Sequence, residues 1–289
     1  MAGSKCSFPS GDEVEHFLSD LPPSMNRYTY EGKEQFDQIL KIEYDRFERS
    51  LHHLDPNAPE ISEYFVIAID PSSFEKEFLL PDPIAGLRLF YHAALHILIL
   101  RMTTPEHAQA AMALNSEVLE ILQPMGLFRA LQGFGGVNID VGNGSIKQPD
   151  WGWGPIRRSR GDPQRPKVVV EVAVSETATN LRNNARLWVD PVRGRANLAI
   201  TVKVNRKKPQ ITIDTYEWDS GTQHPRVTQS CVIEETCNNI TVSQYPIVIP
   251  FHHIFGRAPE IPKETDVQLG RQHLVNFATS VWPVQEISS

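Results

Sequence analysis

The spacing of apolar and polar positions changes several times along the chain, and each change marks an element. Residues 1–25 read as a loose tail with one short helix near Glu13–Leu18. Residues 31–53 repeat at helical spacing, with Phe36, Ile39, Leu40, Ile42, Phe47 and Leu51 predicted inward. A short strand is expected over Tyr64–Ile69, inside the proline-rich stretch 54–84. Leu87 to Leu100 is the longest apolar run. It contains Arg88, His92 and His96, so it predicts a buried helix over 84–102 rather than a membrane span. Thr104-Pro105-Glu106 then supplies an N-cap, a first-turn proline and an acid at the positive helix end. The helix it opens is predicted to reach about Leu122, where Pro124 and Gly126 stop it.

Beyond that helix the period shortens. Val137–Val141 alternates, Asn143-Gly144 is a hairpin turn, and Ser145–Trp151 is the expected return strand, which carries Asp150. Trp151–Pro166 reads as a polar loop. Lys167–Val174 is nearly continuous in apolar residues, which predicts a central strand buried on both faces. Ser175–Val189 is a helix with Leu181, Ala185, Trp188 and Val189 on one face. Ala196–Val204 and Gln210–Trp218 are strands joined at Asn205–Pro209, and Cys231–Ile233 and Ile240–Ile249 add β-structure before a short helix near Gly270–Phe277. From residue 104 the order is helix, three strands, helix, two strands, which predicts an α/β fold with a mixed sheet and helices on both faces.

Two acids stand out in this pattern. Glu171 lies inside the central strand, where a carboxylate is costly unless it is paired, hydrogen-bonded or holding a metal. Asp150 follows Pro149 on the expected neighbouring strand, so the two carboxylates are predicted to face each other at metal-sharing distance. The Val172 carbonyl would be a third oxygen, and Glu117 or Glu120, three apart on the preceding helix, would close the site. Other readings attach to the same residues. Asp150 after a proline suits a turn or a cap, and Glu171 could pair with Arg182 or Arg186. Those arginines, four apart, could instead grip phosphate or simply face solvent. Trp151 and Trp153 could stack on a base or pack the core.

Composition narrows the choice. With 289 residues, 40% hydrophobic and 22% charged, the chain is an ordinary globular sequence long enough for one large domain with an added lobe. No charged-then-apolar leader opens it, so an intracellular protein, cytoplasmic or nuclear, is expected. Cys6, Cys231 and Cys237 make no CxxC, and neither His52-His53 nor His252-His253 has a zinc-binding spacing. Phosphate-binding glycine loops, GxSxG and a cysteine–histidine dyad signature are missing too. Charge is unevenly spread. The chain is −7 overall, yet residues 147–208 hold 14 Lys/Arg against 5 Asp/Glu. That positive block surrounds both acids and suits nucleic acid, with Arg157, Arg158, Arg160, Arg182 and Arg186 as the expected phosphate contacts. A solvated basic surface balanced against the acidic remainder is the alternative.

The element order of 104–218, with Asp150 behind Pro149 and Glu171 in the central strand, resembles the PD-(D/E)XK phosphodiesterase superfamily, the restriction-endonuclease-like fold. On this reading the chain divides into a tail (1–25), an N-terminal helical lobe (26–103), the core (104–218) and a C-terminal β-rich extension (219–289). The resemblance implies that Asp150 and Glu171 bind Mg²⁺ or Mn²⁺ and that a lysine two residues after Glu171 positions the attacking water. That place holds Ala173. Glu171-Val-Ala-Val-Ser-Glu176, with Leu181 and Ala185-Arg186-Leu187-Trp188, is similar to a fungal branch of the superfamily, which also resembles bacterial proteins that carry the lysine on the next helix. Here that position is Asn184, which is neither a base nor a cation. Lys203 is the candidate replacement if its strand pairs with the central one. Two functions follow: a metal-dependent nuclease using Asp150, Glu171 and Lys203, or a catalytically dead nuclease-fold protein that binds or scaffolds.

Overall fold

The computed structural model describes residues 8–9, 11–52, 62–80, 84–156, 165–174, 178–237 and 239–285. The chain forms two compact units, one from residues 1–103 and 142–148, the other from 104–141 and 149–289. Among the described residues, no helix is long and apolar enough to cross a membrane.

The first unit begins with α1 (Asp12–Leu18), β1 (Asn26–Thr29), α2 (Lys33–His52), β2 (Tyr64–Ala68), α3 (Pro71–Phe74), β3 (Leu87–His92) and β4 (Ile97–Met102). The second opens with α4 (Pro105–Leu122), β5 (Leu131–Gly133) and β6 (Ile139–Asp140). The chain returns to the first unit for β7 (Ile146–Lys147). The rest belongs to the second: β8 (Trp151–Pro155), β9 (Val168–Ala173), α5 (Ala178–Val189), β10 (Leu198–Val204), β11 (Gln210–Asp219), β12 (His224–Thr236), β13 (Asn239–Val242), β14 (Ile247–Ile249), α6 (Phe251–Phe255), β15 (Val267–Leu269) and α7 (Arg271–Val281).

The first unit is built on a sheet, not on helices. Its strands run β1–β2–β4–β3–β7, with β1 parallel to β2 and the other pairs antiparallel. The predicted helix over 84–102 is therefore two strands. Leu87, Leu89 and Tyr91 are buried while Arg88, Phe90 and His92 are half-buried, a period of two. His96, at φ 55, turns the chain back. Nor is the N-terminal segment loose throughout: Val14 and Leu18 of α1 are buried with Val66, Ile97 and Ile99 on one face of the sheet. Phe36, Ile39 and Phe47 of α2 pack on the other face, but Ile42, expected inward, is 57% exposed.

The second unit holds the expected α/β core. Its seven-stranded sheet runs β13–β12–β11–β10–β9–β8–β5. β9 is antiparallel to β8 and parallel to β10, to which α5 connects it. Within this sheet and its helices the succession is α4, β5, β8, β9, α5 and β10. Even-numbered residues of β9 (Val168, Val170, Val172) enter a core with Ala110, Leu114 and Val118 of α4 and Leu274 and Phe277 of α7. Odd-numbered residues point to the opposite face. Thr104 caps α4 as predicted, its Oγ1 accepting from His107 N at 3.2 Å.

The C-terminal segment continues this unit. β12 and β13 extend the sheet, and Gln229 of β12 exchanges two hydrogen bonds with the main chain of Val248 in β14 (2.8 and 2.7 Å). Arg257 grips Glu264 with two bonds of 2.7 and 2.6 Å, and Glu260 N donates to the same carboxylate at 2.7 Å. Arg257 above all, then the Glu260 N–H, holds the Glu264 carboxyl at about 2. A folded pKa below the unfolded value means that this contribution is complete above the usual 4.5 and is lost as pH falls towards about 2. In an NMR titration the Glu264 carboxyl carbon should show its midpoint near that lower value, and Arg257→Ala should raise it; an ordinary midpoint in the wild-type chain would contradict the clasp.

Candidate functional site

Asp150 does not end a hairpin strand; it precedes β8. Pro149 has no N–H for a ladder and closes the segment that supplies β7, and β7 pairs with β3. β8 is then registered against β9 with Trp151 opposite Val170 and Trp153 opposite Val168. The pairing ends at Trp151, the residue after Asp150.

Both carboxylates are 1% exposed, and each is met by protein donors. Asp150 Oδ2 accepts from Val172 N at 2.7 Å, so the side chain takes the ladder place of a main-chain carbonyl. His107 Nε2, from the first turn of α4, lies 2.9 Å from the same oxygen. Glu171 points to the other face of the sheet, where Nε1 of the fully buried Trp188 on α5 donates to Oε1. Trp188 thus fills the partner role that the sequence assigned to Arg182 or Arg186. Both of those arginines are exposed on α5, and Arg157, Arg158 and Arg160 lie outside the described residues.

Glu117 and Glu120 are separated from this pair. Glu117 lies ten residues beyond His107, about 15 Å along the helix axis, and α4 covers the face of β9 that Glu171 does not use. Burial, and then the neighbouring Glu120, push the Glu117 carboxyl up, and its Oε2 is buried without a hydrogen-bond partner. Trp151 and Trp153 prove to be packing residues: both indoles donate to Asn115 Oδ1, at 3.1 and 2.9 Å.

Lys203 meets the condition set for it. β10 pairs with β9 in parallel with Lys203 beside Ala173 and Thr201 beside Glu171. Lys203 therefore rises from the same face as Ala173, one strand spacing of about 4.8 Å away, and it is exposed. His107 was not anticipated; only its position three residues after the Thr104 cap could have pointed to it.

The resemblance implies Mg²⁺ or Mn²⁺ at this place. Hard divalent ions take six or more oxygens, several of them from carboxylates. The Asp150 oxygen already accepts from Val172 N and lies against His107, Glu171 accepts from Trp188, and among the described residues no group of three His, Cys, Asp or Glu side chains is arranged to hold a metal ion. The side chains as arranged do not by themselves make such a cage.

No family model matches the chain, and no curated protein matches it. Among solved structures it is similar to the crystal structure of "a putative nuclease belonging to DUF820" from Anabaena variabilis, with 14% identity and a TM-score of 0.40 over 70% of this chain and 97% of that one. A likeness at that level carries no argument about the site.

Proposed function

We propose that the second unit is a nuclease-fold module that binds nucleic acid without cutting it. The observation that carries this reading is the engagement of both carboxylates: Asp150 completes the β8–β9 ladder and Glu171 anchors α5 through Trp188, each at 1% exposure. Ala173 adds to it, since no cation follows Glu171 on its own strand. The basic block 147–208 supplies the attraction for phosphate.

A second reading, metal-dependent cleavage with Mg²⁺ or Mn²⁺, is favoured by one observation, the place of Lys203 beside Ala173. One experiment separates the two. Purified protein is incubated with supercoiled plasmid, single-stranded DNA and RNA in Mn²⁺ or in EDTA, and retention of each is measured by mobility shift. Retention without cleavage, unchanged by EDTA, is expected. Metal-dependent cleavage that Asp150→Asn and Lys203→Ala both abolish would establish the second reading, and neither retention nor cleavage would end both.

A further inference from the structure

Strand pairing brings a second basic feature to the end of the sheet where Asp150 and Glu171 lie. β9 and β10 are parallel, so their C-terminal ends share one end of the sheet, and the turn from β10 to β11 projects from it. Lys203, Arg206, Lys207 and Lys208 fall within six residues there, with no acid between them. Among the described residues none of the four is ion-paired.

The turn is rigid from within. Asn205 Oδ1 accepts from Lys207 N at 2.9 Å, Asn205 N donates to Gln210 O at 2.9 Å, Gln210 N donates to Lys208 O at 2.7 Å, and Gln285 Nε2 donates to Asn205 O at 3.0 Å. These bonds hold the backbone and leave the lysine heads of Lys203, Lys207 and Lys208 to solvent, while Arg206 is half-buried and its Nη2 is buried without a hydrogen-bond partner. Two acids of β12 come beside the turn: Glu234, opposite Gln210, accepts from Gln210 Nε2 at 3.1 Å, and Glu235 N donates to Pro209 O at 3.0 Å. Among the described residues, Arg165 and Arg193 behave differently. Arg165 donates to the carbonyls of Arg193, Gly194 and Asp140, and Arg193 donates to that of Val141, so those guanidiniums fasten loops.

Like charges fixed side by side repel one another, which a polyanion crossing them relieves. From this placement we infer that the 203–208 turn is the phosphate-backbone track of the module, the surface through which nucleic acid is held. The inference rests on the binding reading above. Cations spread along a strand end and a turn suit a chain of phosphates rather than one small anion, and backbone contacts of this kind carry no sequence preference.

The test is fluorescence anisotropy with fluorescein-labelled 20-nucleotide single-stranded DNA and RNA over a salt series. Arg206→Ala/Lys207→Ala/Lys208→Ala should weaken binding at least tenfold at moderate salt and reduce the log–log salt slope by about 2, the loss of three single-strand phosphate contacts. The charge-conserving Arg206→Lys/Lys207→Arg/Lys208→Arg variant should bind as wild type. If the triple alanine variant fails to fold, Lys207→Ala/Lys208→Ala, at two exposed positions, should still reduce the slope by about 1. Wild-type binding left unchanged by a folded alanine variant overturns the track and leaves the binding reading standing. A wild-type protein that binds neither oligonucleotide overturns both.

Discussion

Gly194→Ala should lower the stability of the second unit by about 3 kcal/mol or more, a large loss for a single methyl group, because overpacking against main chain has no rotamer to relieve it. A Cβ at this position would meet Trp188 O at 2.3 Å, Trp188 Cα at 2.4 Å and Leu187 O at 2.5 Å. The close approach is a consequence of how α5 ends. Gly194 N donates to Leu187 O at 3.0 Å, Arg195 N to Asp190 O at 2.9 Å and Ala196 N to Trp188 O at 2.9 Å, so the chain folds back on the last helical turn before entering β10. Gly194 is not in the left-handed region, so the effect is steric and not conformational. Any shift that admits the methyl group moves Trp188, whose indole holds Glu171. The variant should lose its urea midpoint with little change in the slope m, together with a change in tryptophan emission. A midpoint within experimental error of wild type would mean that the chain does not pass this close to the helix.

What could be read in the sequence was whatever local chemistry decides. Thr104-Pro105 fixes the start of α4 by capping, and the apolar run of β9 fixes a strand buried on both faces. The segment 84–102 failed because β4 is buried on both faces and shows neither period, which masks the short alternation of β3 before it. Its turn is made by His96 at φ 55 without glycine or Asn-Gly, and its partner β2 lies more than a helix away. The Asn143-Gly144 turn was recognised, but Ile146–Lys147 pairs with Tyr91 and Phe90, a non-local choice that no turn residue announces. Asp150, expected at the end of the return strand, instead precedes β8. Lys203 beside Ala173 depends on the register of two strands separated by a whole helix, and a sequence alone does not set that register.

Trp188→Phe and Glu171→Gln should show strong thermodynamic coupling, and this decides what Glu171 is for. In the wild-type chain the indole N–H donates to a carboxylate oxygen at the centre of the buried face. Replacing Trp188 by Phe keeps a ring in the cavity but removes that donor, and a buried acceptor left unmet costs about 1–3 kcal/mol, more when it is charged. Glu171→Gln keeps an oxygen for the indole and removes the charge, so alone it should be nearly neutral. With glutamine already at 171, Trp188→Phe should cost about 1 kcal/mol less than it does in the wild-type background, because the group left without a donor is now neutral and can turn its own N–H₂ towards other acceptors. Urea unfolding of the four proteins in EDTA measures this coupling, and additive effects would show that Trp188 does not support the carboxylate. Repeating the cycle in Mn²⁺ extends the argument. A metal that bound Glu171 would stabilise the wild type and not Glu171→Gln, so a cycle identical in EDTA and Mn²⁺ ties the carboxylate to α5 and not to a cation.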